Sequence, residues 1–171
     1  MHDARPLPAI LDDAWSMLAR GVEDPLDDLH WPVLASVGQR GDAAFADART
    51  VVLRACSPAT RSVSVHSDAN AGKIAQLRAH PAAALVAFHR TARIQLRLHG
   101  AVVLHVGDAA ASAAWEALPD HSRALYAGPQ RFCLIRMTIH QLDWLRIDGS
   151  RQHRAAFDLA GDPPHGRWVD P

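Results

Sequence analysis

The stretch from Arg49 to Gly100 limits the folds open to this chain more than any other segment. It opens on a β-branched strand with an arginine at either end, Arg49-Thr50-Val51-Val52-Leu53-Arg54. A second strand closes on Val65-His66-Ser67-Asp68, and a helix starts just after it at Asn70-Ala71-Gly72-Lys73. A long strand then covers 93–105, with Ile94, Leu96 and Leu98 on one face and Arg93, Gln95, Arg97 and His99 on the other. Alternation with a period of two is the mark of a strand buried on one side. Gly100 marks a bulge or a bend in it. Lys73 is the single lysine among 18 Lys and Arg residues. A cation in the first turn of a helix is unfavourable, because that end of the helix dipole is already positive. An anion beside it would offset the repulsion, and free N–H groups at a helix start suit a phosphate.

The rest of the chain adds strands and a few helices. Residues 8–23 read as an amphipathic helix, with Leu11, Ala14, Trp15, Leu18 and Val22 at helical spacing and a stop at Asp24-Pro25. Strands are predicted at 33–38, 48–54, 61–66, 83–89, 93–105, 132–139, 141–147 and 152–159, with a turn at Gly41-Asp42. Helices are predicted at 70–79 and 108–118, and Asp148-Gly149 reads as a hairpin turn. No repeat or low-complexity linker interrupts the pattern, so 171 residues read as one domain, 1–171. Antiparallel strands with few helices give an α+β, mainly β class, with a barrel closing the sheet edges.

Composition excludes several functions. The formal net charge is zero, which argues against a nucleic-acid partner. Cys56 and Cys133 lie far apart without metal spacing, and the 11 histidines form no His-x-x-x-His pair, so no metal is expected. With two cysteines and neither a leader-like pattern nor a long apolar run, a cytoplasmic protein without a membrane span is expected. His66, Ser67 and Asp68 are sequence neighbours, which is a poor basis for a hydrolytic triad, since its three roles need converging geometry.

The order and separation of the motifs over residues 30 to 147 resemble the pyridoxamine 5′-phosphate oxidase-like flavoproteins. The resemblance rests on the Arg49–Arg54 strand, the His66-Ser67 turn, the Lys73 helix start and Gln95 on the long strand. It implies an antiparallel split β-barrel with flanking helices, FMN as cofactor, and a homodimer with the flavin site at its interface. By the same resemblance Arg49 and Lys73 serve the FMN phosphate, and Ser67 donates a hydroxyl. Backbone groups of Val51, Val52 and Leu53 would face the flavin ring, Thr50 belongs to the same cofactor-binding strand, and Arg54 would lie toward the isoalloxazine or the substrate. His66 takes an aromatic position, Gly72 stands where the family often carries arginine or proline, and Gln95 would reach the cofactor of the partner subunit. Arg49 and Arg54 are five residues apart, so on a straight strand they face opposite sides and cannot share one phosphate.

The residues for a second, substrate phosphate depart from the family pattern. Leu118 falls where an arginine belongs, Trp115 near a tyrosine, and Gln152-His153-Arg154 fits an Arg-x-His motif poorly, while Ser122 can match a serine. Leu145 sits where the oxidases carry a tryptophan, one residue after Trp144. The expected function is an FMN-dependent oxidoreductase acting on an unidentified small molecule. The alternatives are an FMN carrier or sensor, and a relative that holds haem or a deazaflavin instead. No catalytic residue is singled out.

Overall fold

The structure is a computed structural model that describes residues 5–170. It opens on helix α1 (Leu7–Glu23), which buries Ile10, Ala14 and Leu18 and ends at Asp24, whose N–H bonds Arg20 O at 2.8 Å. Nine strands follow: β1 (Val33–Arg40), β2 (Ala43–Thr50), β3 (Leu53–Ser57), β4 (Ser62–Asp68), β5 (Ala82–His89), β6 (Ile94–His105), β7 (Phe132–Asp148), β8 (Arg151–Asp158) and β9 (His165–Val169). Helix α2 (Gly72–Ala79) joins β4 to β5, and α3 (Ala109–Glu116) and α4 (Asp120–Arg123) lie between β6 and β7. Every strand pair is antiparallel, in the order β2-β1-β5-β6-β7-β4-β3, with β8 on β7 and β9 on β8.

This is an α+β split barrel, and two departures from the sequence reading explain its shape. The first is the predicted strand 48–54, which is two strands. β2 ends at Thr50 beside β1, and β3 starts at Leu53 beside β4, at the other end of the strand order. The chain therefore crosses the barrel mouth at Val51 and Val52. Val51 still donates its N–H to Pro32 O at 2.9 Å. Val51 and Leu53 are buried in the main core, so burying two apolar side chains outweighs the lost ladder bonds.

The second is the segment read as strands 132–139 and 141–147, which is one 17-residue strand that changes partner midway. β4 pairs with its first half, Phe132 to Thr138, and β8 with its second half, Gln141 to Asp148, while β6 runs along both. The barrel splits at this exchange. The register of β6 shifts there too, between His99 and Gly100. A Cβ at Gly100 would lie 1.8 Å from Thr138 O, so only glycine lets the two backbones approach.

The strand β2 also reaches back to Ala43, five residues before the predicted start at 48. Alanines and charged residues on this edge strand give no alternation to read.

Candidate functional site

Two polar groups of side chains flank β4, one on each face. Ser67 shares the inner face with Val63 and Val65, and His66 and Asp68 point to the other.

On the inner face, Lys73 Nζ donates to Ser67 Oγ at 3.1 Å, and the Ser67 hydroxyl donates to Asp68 O at 3.2 Å. Arg49 lies on the same side. Its Nη1 donates to Ser36 Oγ at 2.6 Å and Leu34 O at 3.2 Å. Its Nη2 donates to Gln76 Oε1 at 3.0 Å and pairs with Asp47 Oδ2 at 2.6 Å. Gln76 Nε2 in turn donates to Asp47 at 2.8 Å, and Ser36 Oγ donates to Gln76 Oε1 at 2.6 Å. Arg49 is thus locked in one orientation by strand and helix together. Among the described residues Lys73 forms no ion pair, although it is half-buried. Burial, then the field of Arg49, hold its ammonium below the usual lysine range. Helix α2 has Ala71 as its N-cap, with no side-chain cap bond and no acidic residue in its first turn. Two cations, a buried hydroxyl and an uncapped helix start converge here, and the one carboxylate bonded to the cluster, Asp47, pairs with Arg49 and leaves Lys73 in excess, which suits a phosphate.

On the outer face, Arg54 Nε and His66 Nδ1 are buried without a hydrogen-bond partner among the described residues. His66 meets Phe132 edge-on at 4.8 Å, and Phe132 meets Tyr126 at 5.2 Å and Trp115 at 5.6 Å. Burial and the Arg54 charge push the His66 imidazole down to about 4, so it is neutral near pH 7. Arg131 grips Asp68 with Nη2 contacts of 2.8 and 2.9 Å to the two carboxylate oxygens, which holds the Asp68 carboxyl below its usual range.

Of the residues singled out from sequence, the structure brings Arg49, Ser67 and Lys73 together and puts Arg54 with His66 on the opposite face of β4. Val51 and Leu53 are buried, Val52 is half-buried, and Thr50 is exposed at the end of β2. Gly72 is the exposed first residue of α2, and a Cβ there would meet nothing within 4 Å. Gln95 stands apart, on the outer face of β6 between Phe88 of β5 and Leu145 of β7. Sequence reasoning missed Ser36, Asp47 and Gln76. Gln76 had a signal, being one helical turn beyond Lys73 and so on its face of α2. It also missed Tyr126, which closes the aromatic group from a loop with no periodicity.

The residues read as a weakened second phosphate clamp are occupied elsewhere. Leu118 is buried in an apolar cluster with Ala111, Phe132 and Leu134. Arg123 donates to Trp115 O at 3.1 Å and Glu116 O at 2.6 Å. Arg154 pairs with Asp143 at 2.8 Å, and His153 is buried. Ser122 is buried as well.

A family model described as pyridoxamine 5′-phosphate oxidase, FMN-binding domain, matches residues 13–106, more than half of the chain. The chain belongs to this family. Its cofactor is FMN, and the Arg49–Ser67–Lys73 corner is a fitting place for the FMN phosphate. A comparison with curated proteins finds no match. Among solved structures, a pyridoxamine 5′-phosphate oxidase-related, FMN-binding protein from Nostoc punctiforme is similar over 99% of this chain and 100% of that one, with a TM-score of 0.79 and 19% identity. PhzG from Burkholderia lata, in complex with tetrahydrophenazine-1-carboxylic acid, is similar over 99% of this chain and 95% of that one, at TM-score 0.67 and 17% identity. HupZ from Group A Streptococcus covers 81% of this chain and 94% of its own, at TM-score 0.57 and 8% identity. At these identities the likeness is one of fold. Among the described residues no helix is long and apolar enough to cross a membrane, and no group of three metal-ligating side chains forms.

Proposed function

We propose that this protein is an FMN-dependent oxidoreductase of the cytoplasm, acting on a small molecule as a homodimer. The observation that carries the reading is the half-buried Lys73, which bonds Ser67 beside Arg49 at an uncapped helix start and has no ion-pair partner among the described residues. Lys73, Ser67 and the first N–H groups of α2 hold the phosphate, and Arg49, fixed by Ser36, Gln76 and Asp47, supplies a second positive charge. The backbone from Thr50 to Leu53, which crosses the barrel mouth, lies along the flavin. Bound FMN supplies a hydride acceptor at N5, and the protein positions the reactants around it. Arg54 and the neutral His66 lie on the substrate side, where Arg54 offers a cation and His66 an uncharged imidazole.

The homodimer reading is supported by the uncovered outer sheet face. Val33, Val37 and Phe88 are exposed there at 38%, 36% and 44%, and Phe88 is in register with Gln95 and Leu145. A second copy would bury this apolar patch and bring Gln95 to the partner's flavin. Light scattering should give twice the chain mass, and a monomer with FMN still bound would contradict it.

Pyridoxamine 5′-phosphate is a poor substrate in this reading, because Leu118 carries no charge and the Arg123 guanidinium is spent on the Trp115 and Glu116 carbonyls. Purified protein should be yellow. Stopped-flow mixing with pyridoxamine 5′-phosphate should leave the flavin absorbance unchanged, and rapid bleaching would contradict the assignment. Bleaching by another small molecule, followed by reoxidation in air, would establish turnover. A yellow protein that no reductant-type metabolite bleaches would point to a carrier or sensor.

A further inference from the structure

A cavity of about 540 Å³ opens on the outer sheet face, away from the Lys73 corner. Strands β6 to β9 build it. Arg97 and His99 follow Gln95 on the same face of β6, and Asp143 and Arg154 lie opposite them on β7 and β8. Arg167 and Val169 complete it from β9.

Its charge is organised around one carboxylate. Asp143 Oδ2 accepts from Arg154 Nε at 2.9 Å and Nη2 at 2.8 Å, and pairs with Arg97 Nη2 at 3.1 Å. Asp143 therefore orients both guanidiniums while using only some of their five N–H donors each. Arg97 Nη1 and Arg154 Nη1 make no hydrogen bond among the described residues, and neither does any part of the Arg167 fork. Three guanidiniums face two carboxylates, Asp143 and Asp158, an excess of one positive charge. Ala156, Leu142 and Val169 add apolar wall. Spare donors and a single positive excess suit a monoanion better than a phosphate dianion, and the volume is within the range of small-molecule pockets.

We propose that this pocket binds the carboxylate of a small organic acid with an apolar body, and that such acids are the substrate class of the flavin site. The assignment to substrate rests on the oxidoreductase reading above and on the dimer that brings the Gln95 face to the partner's flavin. The binding itself does not.

The test is calorimetric titration of the FMN-loaded protein with benzoate and with its neutral isostere benzamide. Benzoate should bind, and benzamide should bind at least about tenfold more weakly, the loss expected for a charge-assisted hydrogen bond. Arg167→Gln should weaken benzoate by about tenfold with the flavin spectrum unchanged, and Arg167→Lys should restore part of it. Arg167 is exposed and makes no internal hydrogen bond among the described residues, so the variant keeps the fold. Absence of benzoate heat, equal affinity for benzamide, or unaltered binding to Arg167→Gln would overturn the proposal. A colourless protein that still binds benzoate would sink the flavin reading and keep the pocket. A yellow protein indifferent to benzoate would do the reverse.

Discussion

Ser67 and His66 are neighbours in sequence, yet they belong to opposite corners of the barrel wall. The Ser67 corner is a closed polar network with too much positive charge. Arg49, Ser36, Gln76 and Asp47 satisfy one another, and Lys73 is left with a hydroxyl. The His66 corner is the reverse, an aromatic cluster in which Arg54 Nε and His66 Nδ1 have no partner among the described residues. A preorganised network costs little to order when a ligand arrives, so it suits a resident cofactor. Buried polar atoms left unpaired in an apolar wall are costly, and suit a place where a substrate comes and goes. The period-two geometry of one strand is enough to separate the two corners.

The sharpest way to break the contrast is to remove its apolar half. Phe132 is fully buried at the centre of the aromatic cluster. Phe132→Ala should destabilise the fold by about 3–5 kcal/mol. Urea unfolding checks this, and FMN affinity of the folded fraction should hardly change if the corners are independent.

A somewhat smaller effect comes from pH. The His66 imidazole titrates at about 4 in the fold against 6.5 when free. Between these values the unfolded chain takes up a proton that the folded chain refuses. Stability should therefore fall as pH falls from 6.5 toward 4, by about 1.4 kcal/mol per pH unit and roughly 3 kcal/mol in all. The part of the slope due to His66 should vanish in His66→Phe, measured by denaturant unfolding at pH 7 and pH 5. An identical slope in the variant would show that the imidazole is not desolvated.

The smallest effect concerns Gln95, outside both corners. Loss of one neutral hydrogen bond in Gln95→Ala should weaken FMN by about 0.5–1.5 kcal/mol without changing monomer stability, if the residue reaches the partner's flavin. Fluorescence titration reads the affinity. An unaltered value would leave the outer face of β6 without a part in cofactor binding.

Much of this was legible in the sequence because it depends on local rules. The alternation of Ile94 to His99 gave the long strand, and the lone Lys73 at a helix start pointed to the cluster it forms with Ser67 and Arg49. Gly100 gave the bulge, because no side chain fits against the Thr138 carbonyl. What was not legible depends on contacts distant in sequence. The crossing at Val51 and Val52 is made by burial against a core no local window contains. Asp47, Ser36 and Gln76 converge on Arg49 from two strands and a helix. The Arg97–Asp143–Arg154 cluster joins three strands, and its residues lie up to 57 positions apart, from 97 to 154.

The central claim is that the Arg49–Ser67–Lys73 corner recognises the FMN phosphate. Titrating wild type and Lys73→Ala with FMN and with riboflavin, which lacks the phosphate, tests it most directly. Wild type should prefer FMN. Lys73→Ala should lose about 1.5–3 kcal/mol of FMN binding, the worth of a charge-assisted hydrogen bond, and nothing toward riboflavin. Equal losses for both flavins, or an undiminished preference for FMN, would place the phosphate elsewhere.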